Sequence, residues 1–461
     1  MKKEEKMKSY EVIVIGSGSG GEIIDAALTH GKSIAWIDKG PLGGTCLNVG
    51  CIPSKILIHP ADRILEIIEA QKLGITAEIK GIDFQAIMQR VQRPIQESHE
   101  SMQHGISHAE NLDYYNDVAQ FIKDYTLQVS GKQIRGEKIF LGSGARPLIP
   151  PIKGLDSVPY LTNENVFSLK EKPRSMVIIG GGYIAVEFAH FFSAVGTIVT
   201  IFQRGNRLIP NAEPEISALL KNQLAKRMHI YLNTEVIEVA KQGNGFTVRG
   251  KDSATGKEIA VSAEAIFVAA GRRSNADLLK VENTGVKTDA RGYIQVNEYL
   301  ETSKENIWAF GDAIGKAMFK HVANEEAAVA WRNAFHKQKT KMDYQAIPYA
   351  IFTYPEIATV GMTEQEAKQN HEILVGIAHY ADVAKGDAMM EHDGFAKAIV
   401  DKHTAKILGF HIIGPYAPML IQEVINGMAL GGNIQFISHG MHIHPALPEL
   451  ILQTLGSLRE V

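Results

Sequence analysis

Residues 10–38 read YEVIVIGSGSGGEIIDAALTHGKSIAWID. Val12-Ile13-Val14-Ile15 is a short apolar, β-branched run of the kind that fills a buried parallel strand. Gly16-Ser17-Gly18-Ser19-Gly20-Gly21 follows as a turn, a helix is predicted from Glu22 to about His30, and Gly31 stops it. Ser33-Ile34-Ala35-Trp36-Ile37 is a second strand closed by Asp38. The result is a βαβ unit with a glycine fingerprint in its first turn. Gly16, Gly18 and Gly21 permit the tight turn and let backbone N–H groups approach a pyrophosphate at the helix N-terminus. A carboxylate at the position of Asp38 suits two ribose hydroxyls. A glycine turn used only for packing is the competing reading; the strand–turn–helix context and the aspartate weigh against it.

The same layout returns further along. Met176-Val177-Ile178-Ile179 is a strand, Gly180-Gly181-Gly182-Tyr183-Ile184-Ala185 the turn, and a helix runs from Val186 towards Ala194, ended by Gly196. Ile198-Val199-Thr200-Ile201-Phe202 is the next strand. Counted from the terminating glycine, Gln203 falls where Asp38 falls in the first copy, and Arg204 and Arg207 follow it. A carboxylate would repel a 2′-phosphate, whereas guanidinium groups bind one through paired hydrogen bonds. Gly180, Gly182, Tyr183, Ile184, Ala185, Gln203, Arg204 and Arg207 are therefore expected at an NADPH site, with NADH as the alternative if both arginines are ordinary surface charges. Two such units in one chain imply two nucleotide sites.

The 461 residues are too many for one ordinary domain, and 45% apolar content fills several cores. A net charge of −3 gives no broad basic footprint for nucleic acid. Met1–Lys8 lacks an apolar h-region and reads as a solvated tail. No run of about 18 uncharged apolar residues suggests a membrane span. Between the two copies the chain looks helical after Ala61, while Leu127–Val129 and Lys138–Leu141 look like strands. Pro147, Pro150 and Pro151 mark a connection. After about Tyr344 the texture becomes α+β, with strands at Ala396–Val400 and Ile407–His411 and a helix near Pro418–Leu430.

The chain has only two cysteines, Cys46 and Cys51, in the run Gly43-Gly44-Thr45-Cys46-Leu47-Asn48-Val49-Gly50-Cys51-Ile52-Pro53-Ser54-Lys55. A secreted, disulfide-stapled protein of this length usually carries more, and zinc would need further ligands where the segment offers none before His59. No metal site is expected. Two close cysteines in a reducing cytoplasm more often do redox chemistry than hold structure. Four residues separate them, so they can close a small disulfide loop across the first turns of a helix. A thiol must ionise to act, and a helix N-terminus or a nearby cation favours that form. Near the C-terminus, His442-Ile443-His444-Pro445-Ala446-Leu447-Pro448-Glu449 offers an imidazole with a carboxylate to orient it, the arrangement that protonates a departing thiolate.

The cysteine run resembles the active-site signature of the class I pyridine nucleotide–disulfide oxidoreductases, and the resemblance spans nearly the whole chain. It implies an α/β fold of two Rossmann-like nucleotide-binding domains plus a C-terminal α+β dimerisation domain. The expected boundaries are 1–150 and 271–342 for the FAD-binding parts, 151–270 for the NAD(P) domain and 343–461 for the interface domain. Thr302–Asp312 resembles the family's second FAD motif, with Asp312 near the ribityl and phosphate region. Gly142–Pro147 and Ala269–Arg272 resemble its two crossover segments. The resemblance places Gly44, Thr45, Ala119, Ser143, Gly144 and Gly271 at the cofactors. It implies that Cys46 attacks substrate and Cys51 contacts the flavin. Lys55 and Glu187 would pair near the flavin, and Tyr183 would cover it. His444 and Glu449 match the family's His-Pro-x-x-x-Glu element, which reaches the partner subunit's flavin in a homodimer and implies a cis bond before Pro445. His442 has no match and reads as structural or surface.

Local stretches resemble different members. Gly16–Gly20, Arg273–Leu279, Lys320–Ala327, Tyr380–Ala384 and Ile443–Glu449 are most like mycothione reductase; Gly182–Glu187 is most like glutathione reductase and Cys46–Lys55 most like dihydrolipoamide dehydrogenase. The absence of any third cysteine ranks large thioredoxin reductases and mercuric reductases low. The expected function is a cytoplasmic, NADPH-dependent reductase of a low-molecular-weight disulfide. Dihydrolipoamide dehydrogenase working towards NAD is the leading alternative, and a flavoprotein scaffold a further one.

Overall fold

The computed structural model describes residues 7–461. The first sheet is built on β1 (Lys8–Ile15), β2 (Ile34–Asp38) and β3 (Leu112–Asn116), all parallel. Its other half comprises β4 (Gln120–Lys123), β5 (Thr126–Val129) and β6 (Lys132–Leu141), in the order β3-β2-β1-β6-β5-β4. Val12, Ile13, Val14 and Ile15 are all buried, as a strand covered on both faces requires. The tail expected over Met1–Lys8 falls largely on residues 1–6, outside the described residues; Lys8 already belongs to β1 and pairs with Asp113.

Helix α1 (Gly20–Thr29) starts two residues before the predicted point. Helix α2 (Gly44–Val49) carries Cys46, α3 (Cys51–Glu69) begins at Cys51, and α4 (Phe84–His108) packs on α3. The cysteines thus sit on two helices, where the sequence suggested the first turns of one. Gly50 separates them, because α2 folds back so closely that a Cβ there would lie 2.7 Å from the Thr45 carbonyl oxygen. Helix α3 begins ten residues earlier than expected. Pro53 lies in its first turn, where the missing N–H costs no helical bond.

After β6, β7 (Ala145–Pro147) leads to the second nucleotide fold. There β8 (Ser175–Ile179), β9 (Ile198–Phe202) and β10 (His229–Tyr231) are parallel neighbours. An antiparallel sheet of β11 (Thr234–Gln242), β12 (Gly245–Asp252) and β13 (Glu258–Ala263) follows. β14 (Ala265–Val268) then completes the order β10-β9-β8-β14. Helix α5 (Tyr183–Ala194) starts at Tyr183 rather than Val186, because Gly182 is extended and the helix begins directly after it. His190 ties α5 to α3: Arg227 donates to its Nδ1 (2.9 Å), so the proton sits on Nε2, 2.9 Å from Asp62 Oδ1. Burial pushes this imidazole down to about 4, which keeps it neutral.

The chain then returns. β15 (Arg272–Ser274) pairs antiparallel with β7, so the two crossover segments run side by side. β16 (Ile307–Ala309) adds to β6 in the first sheet. The C-terminal part is an antiparallel sheet of β17 (Pro348–Ile351), β18 (Ile357–Gly361), β19 (Ile373–His379), β20 (Phe395–Asp401), β21 (Ile407–Ile413) and β22 (Arg459–Glu460). Their order is β17-β18-β21-β20-β19-β22, with the helices Ala417–Ala429 and Glu449–Gly456 packed on the sheet. Lys397 of β20 is buried among Glu213, Glu215 and Glu364, a charge cluster that joins this sheet to the second nucleotide fold. Among the described residues no helix is long and apolar enough to cross a membrane.

Candidate active site

The first fingerprint is held by its own backbone. Gly16 (φ +105°) is forced to be glycine, since a Cβ would lie 2.0 Å from the Gly142 carbonyl oxygen at the end of β6. Gly20, not Gly21, makes the close helix–strand contact: its Cβ would meet Val14 Cγ1 at 2.9 Å, whereas one on Gly21 would meet no protein atom within 4 Å. Asp38 accepts from Ser17 N–H (2.6 Å) and Gly40 N–H (2.9 Å). Ser17 Oγ in turn accepts from Gly43 N–H (3.0 Å), so the fingerprint, β2 and the cysteine segment are stitched together. Gly44 (φ +63°) brings α2 against Gly18; its Cβ would stand 2.7 Å from Gly18 Cα. Ala119 is buried after β3. Ser143 has a buried Oγ without a protein partner, and its carbonyl accepts from Asn275 (2.8 Å). Gly144 stands beside it with φ +66°. Asp312 lies 3.2 Å from Arg272 Nε, and burial raises its carboxyl despite that cation. These residues fit a dinucleotide: paired lone-pair acceptors at Asp38, open space on the Cβ side of Gly21 and an orphaned hydroxyl at Ser143.

The second fingerprint repeats the device. Gly180 (φ +120°) faces the Ala269 carbonyl oxygen, 2.2 Å from where its Cβ would be, and Gly182 has no protein atom near its Cβ direction. Ile184 is half-buried and Ala185 fully buried at the start of α5. Gln203 turns inward, packs beneath Gly181 and donates to the Arg207 carbonyl (3.2 Å), so it shapes the loop rather than reaching outward. Arg204 is exposed, Arg207 half-exposed, and neither joins an ion pair among the described residues. Gly271 (φ +130°) opens the return crossover.

Thr45 and Cys46 are half-buried on α2, and Cys51 lies at the exposed start of α3. Both cysteines are free thiols, near enough that each shifts the other's ionisation. The contact with Cys51, followed by burial, pushes the Cys46 thiol well up. The Cys46 hydrogen bond, aided by Lys55, pulls Cys51 down to about 7. The two influences run in opposite directions, so Cys46 holds its proton more tightly and Cys51 gives its proton up more readily. Lys55 Nζ is 2.8 Å from Glu187 Oε2, and the other carboxylate oxygen accepts from Phe352 N–H (2.9 Å). This links α3, α5 and the segment after β17. Tyr183 is exposed at the start of α5, its ring 6.3 Å from that of Phe319.

His444 is far more open, its side chain 72% exposed, with Nδ1 2.9 Å from Glu449 Oε1. Glu449 Oε2 accepts from Ala446 N–H (2.9 Å), and that bond, with His444, holds its carboxyl low. The bond before Pro445 is cis. The His444 side chain projects from the surface, leaving Nε2 directed away from its own carboxylate. His442, by contrast, is tucked in, with Nε2 2.7 Å from Glu423 Oε1.

The sequence did not single out Gly43, Gly50, Phe352, Arg272, Glu326 or His99. His99 reaches from α4 to Asn48 Oδ1 (2.7 Å) between the cysteines, and the Asn48 amide holds the Leu42 and Gly44 carbonyls. Glu326 is fully buried, accepting from Gly311 N–H and from Tyr344 Oη, both at 2.6 Å, beside Asp312. Burial raises its carboxyl to about 7. The helical spacing of Glu326 from Val322, Ala323, Val329 and Ala330, which puts it on their apolar face, was the available signal.

Residues 10–327 match the family described as pyridine nucleotide-disulphide oxidoreductase, and residues 347–454 match its dimerisation domain. The chain is 35% identical to mycothione reductase of Mycobacterium tuberculosis over 98% of its own length and 100% of that protein. It is 32% identical to dihydrolipoyl dehydrogenase of Synechocystis sp. over 96% of the chain and 97% of the relative. Among solved structures, the HOCl-induced flavoprotein disulfide reductase RclA from Escherichia coli superposes with a TM-score of 0.85 at 28% identity, covering 97% of this chain and 99% of that one.

Proposed function

Because the chain belongs to the pyridine nucleotide-disulphide oxidoreductase family, whose members are FAD-dependent flavoenzymes, we propose that it is an NADPH-dependent reductase of a low-molecular-weight disulfide, working as a homodimer. The observation that carries this reading is the contact between the only two cysteines, Cys46 and Cys51, beside the Lys55–Glu187 pair. FAD, held by Asp38, Ser143, Gly144 and Asp312 along the first fingerprint, would supply the two-electron relay between nicotinamide and this pair.

The chain's own residues then do the sulfur chemistry. Reduction of the Cys46–Cys51 disulfide by two electrons and one proton leaves a thiol on Cys46 and a thiolate on Cys51. His444 of the partner subunit takes the Cys46 proton as that sulfur attacks the substrate disulfide RSSR. The departing RS⁻ takes this proton back from the imidazolium and leaves as RSH. Cys51 thiolate attacks Cys46 of the mixed disulfide, which re-forms the internal disulfide and expels a second RS⁻. Glu449 fixes the imidazole tautomer through Nδ1 and steadies its charged form.

The homodimer is supported by large apolar side chains left exposed over residues 419–443 of the C-terminal part, the segment that leads into His444. Met419, Leu430, Phe436, Met441 and Ile443 are all solvent-facing in the single chain, Met441 completely so. So many large apolar side chains exposed in one short segment fit a surface covered by a second copy. The NADPH preference is supported by the free guanidinium groups of Arg204 and Arg207 and by the absence of a carboxylate at Gln203. Side-by-side assays of mycothiol disulfide, glutathione disulfide and lipoamide with NADPH and NADH test the reading. NADPH-driven turnover of one of the two small thiol disulfides is expected. Turnover confined to lipoamide with the NADH/NAD couple would overturn it in favour of a dihydrolipoamide dehydrogenase.

A further inference from the structure

The loop from Gln203 to Glu213 carries Arg204 and Arg207 and holds one residue under strain. Ile209, two residues past Arg207, sits at φ +47°, a left-handed conformation that a β-branched side chain resists. Such a residue persists only where its surroundings over-determine it. One anchor is the second fingerprint: Ile209 N–H donates to the Gly181 carbonyl (2.8 Å), while the Ile209 carbonyl accepts from Ala212 N–H (3.0 Å) and Ser217 Oγ (3.2 Å). The other anchor is Glu213, which ends the loop immediately before the helix Pro214–Ala225. Glu213 is 1% exposed, and it is fixed from outside its own nucleotide fold. Lys397 Nζ, equally buried on β20, donates to Glu213 Oε2 (2.7 Å), and Glu364 N–H donates to Oε1 (2.6 Å).

A carboxylate buried this deeply is costly unless a cation and hydrogen bonds meet it, so Glu213 is bound to the place where Lys397 stands. Lys397 in turn meets Glu364 Oε2 (2.7 Å) and Glu215 Oε1 (3.2 Å), which fixes its ammonium between the C-terminal sheet and the second nucleotide fold. Tyr349 of β17 adds a longer bond from the same side, its Oη donating to the Asn211 carbonyl (3.5 Å). The C-terminal part thus grips one end of a loop whose other end rests on the fingerprint turn. We propose that Lys397, acting through Glu213, is a positioning residue for NADPH: it holds the loop in the strained form that presents Arg204 and Arg207 to the nucleotide's 2′-phosphate. The inference rests on the assignment of those two arginines to that phosphate. Once the link is cut, Ile209 relaxes and the arginines leave the phosphate, while the Gly180–Gly182 turn, which serves both nicotinamide nucleotides, stays in place.

Rapid mixing of the FAD-loaded protein with NADPH or NADH gives, for each nucleotide, an apparent Kd and a limiting rate of flavin reduction. The variants are Lys397→Met and Glu213→Ala, each compared with wild type. Lys397→Met leaves Glu213 buried without its cation and can fail to fold. Glu213→Ala cuts the same link while Lys397 keeps Glu364 and Glu215, so no buried charge is left alone. In both variants the NADPH Kd is expected to rise about three- to tenfold, with the NADH Kd and both limiting rates within about twofold of wild type. Adding Glu213→Ala to an Arg204→Ala/Arg207→Ala protein is expected to weaken NADPH no further, because the loop then has no guanidinium to present. An unchanged NADPH Kd in Glu213→Ala, equal rises for NADPH and NADH, or a full further loss on the arginine-free background would each overturn the role given to Lys397 and Glu213. An Arg204→Ala/Arg207→Ala protein that binds NADPH as tightly as wild type removes the 2′-phosphate assignment itself, and this inference with it.

Discussion

Replacing Gly44 with alanine tests whether the redox helix is pressed against the first fingerprint. Gly44 has φ +63°, a left-handed conformation that costs an alanine roughly 1–2 kcal/mol. The new methyl would stand 2.7 Å from Gly18 Cα and 2.9 Å from Gly18 N. Both are backbone atoms fixed by the turn, so no side chain can swing away, and overpacking of this kind costs about 1–3 kcal/mol more. The sum, about 2–5 kcal/mol, lowers the melting temperature of the flavin-free chain by on the order of 2–5 °C, since 461 residues melt with an entropy of roughly 1 kcal/mol per degree. It also moves Cys46 away from the nucleotide turn, so flavin retention falls with it. Gly21→Ala is the matched control. Its methyl meets no protein atom within 4 Å, and alanine is the better helix former. The flavin-free Gly21→Ala chain should therefore melt no lower than wild type while binding FAD more weakly, because the methyl intrudes where the pyrophosphate approaches. Calorimetry on flavin-free protein and a flavin titration read both effects. A Gly44→Ala chain that melts within a degree of wild type and keeps its flavin would refute the contact.

Three further outcomes are expected. Arg204→Ala and Arg207→Ala should each raise KM for NADPH about tenfold and leave that for NADH unchanged, as loss of a charge-assisted phosphate contact requires; equal effects on both nucleotides would remove the 2′-phosphate assignment. His444→Gln should slow disulfide turnover by about 10²–10⁴-fold while rapid-mixing reduction of the flavin by NADPH stays normal. Burial raises the Glu326 carboxyl from 4.5 to about 7, so its contribution to stability is complete below about pH 4.5 and is lost as pH rises through about 7. Glu326→Gln should flatten the melting temperature across that window relative to wild type, and a parallel pH profile would show that another group is responsible.

The nucleotide folds were legible because their strands are continuous β-branched runs and their turns need glycine for hard steric reasons. Val12–Ile15 and Met176–Ile179 are buried to the last residue. Helix starts were harder to read. The helix expected after Ala61 in fact begins at Cys51: Pro53 lies in its first turn, where the missing N–H is harmless, and the helix runs through Pro60. The long α4 repeats apolar residues at Phe84, Ile87, Met88, Val91 and Ile95, a helical period, yet it went unread among its many histidines, glutamines and glutamates. The contacts Lys55–Glu187 and His444–Glu449 are both present at hydrogen-bond distance. A purely local reading could not pair the first, whose members lie on helices of different nucleotide folds. It was equally blind to Lys397, whose charge reads as solvated until Glu213 and Glu364 are seen to enclose it. Glu326 escaped for the same reason, since burial of a charge is decided by elements distant in sequence.

The most direct measurement is an anaerobic titration of the purified, flavin-loaded protein with NADPH, recorded beyond the flavin absorption band. Wild type should develop long-wavelength absorbance as its disulfide is reduced and a Cys51 thiolate lies against oxidised flavin; Cys46→Ser, with no disulfide to reduce, should show that absorbance before NADPH is added and lose it on reduction of the flavin, and oxidised Cys51→Ser should show none. The same absorbance in Cys51→Ser, or its absence from wild type, would contradict the assignment of Cys51 as the flavin-side thiolate.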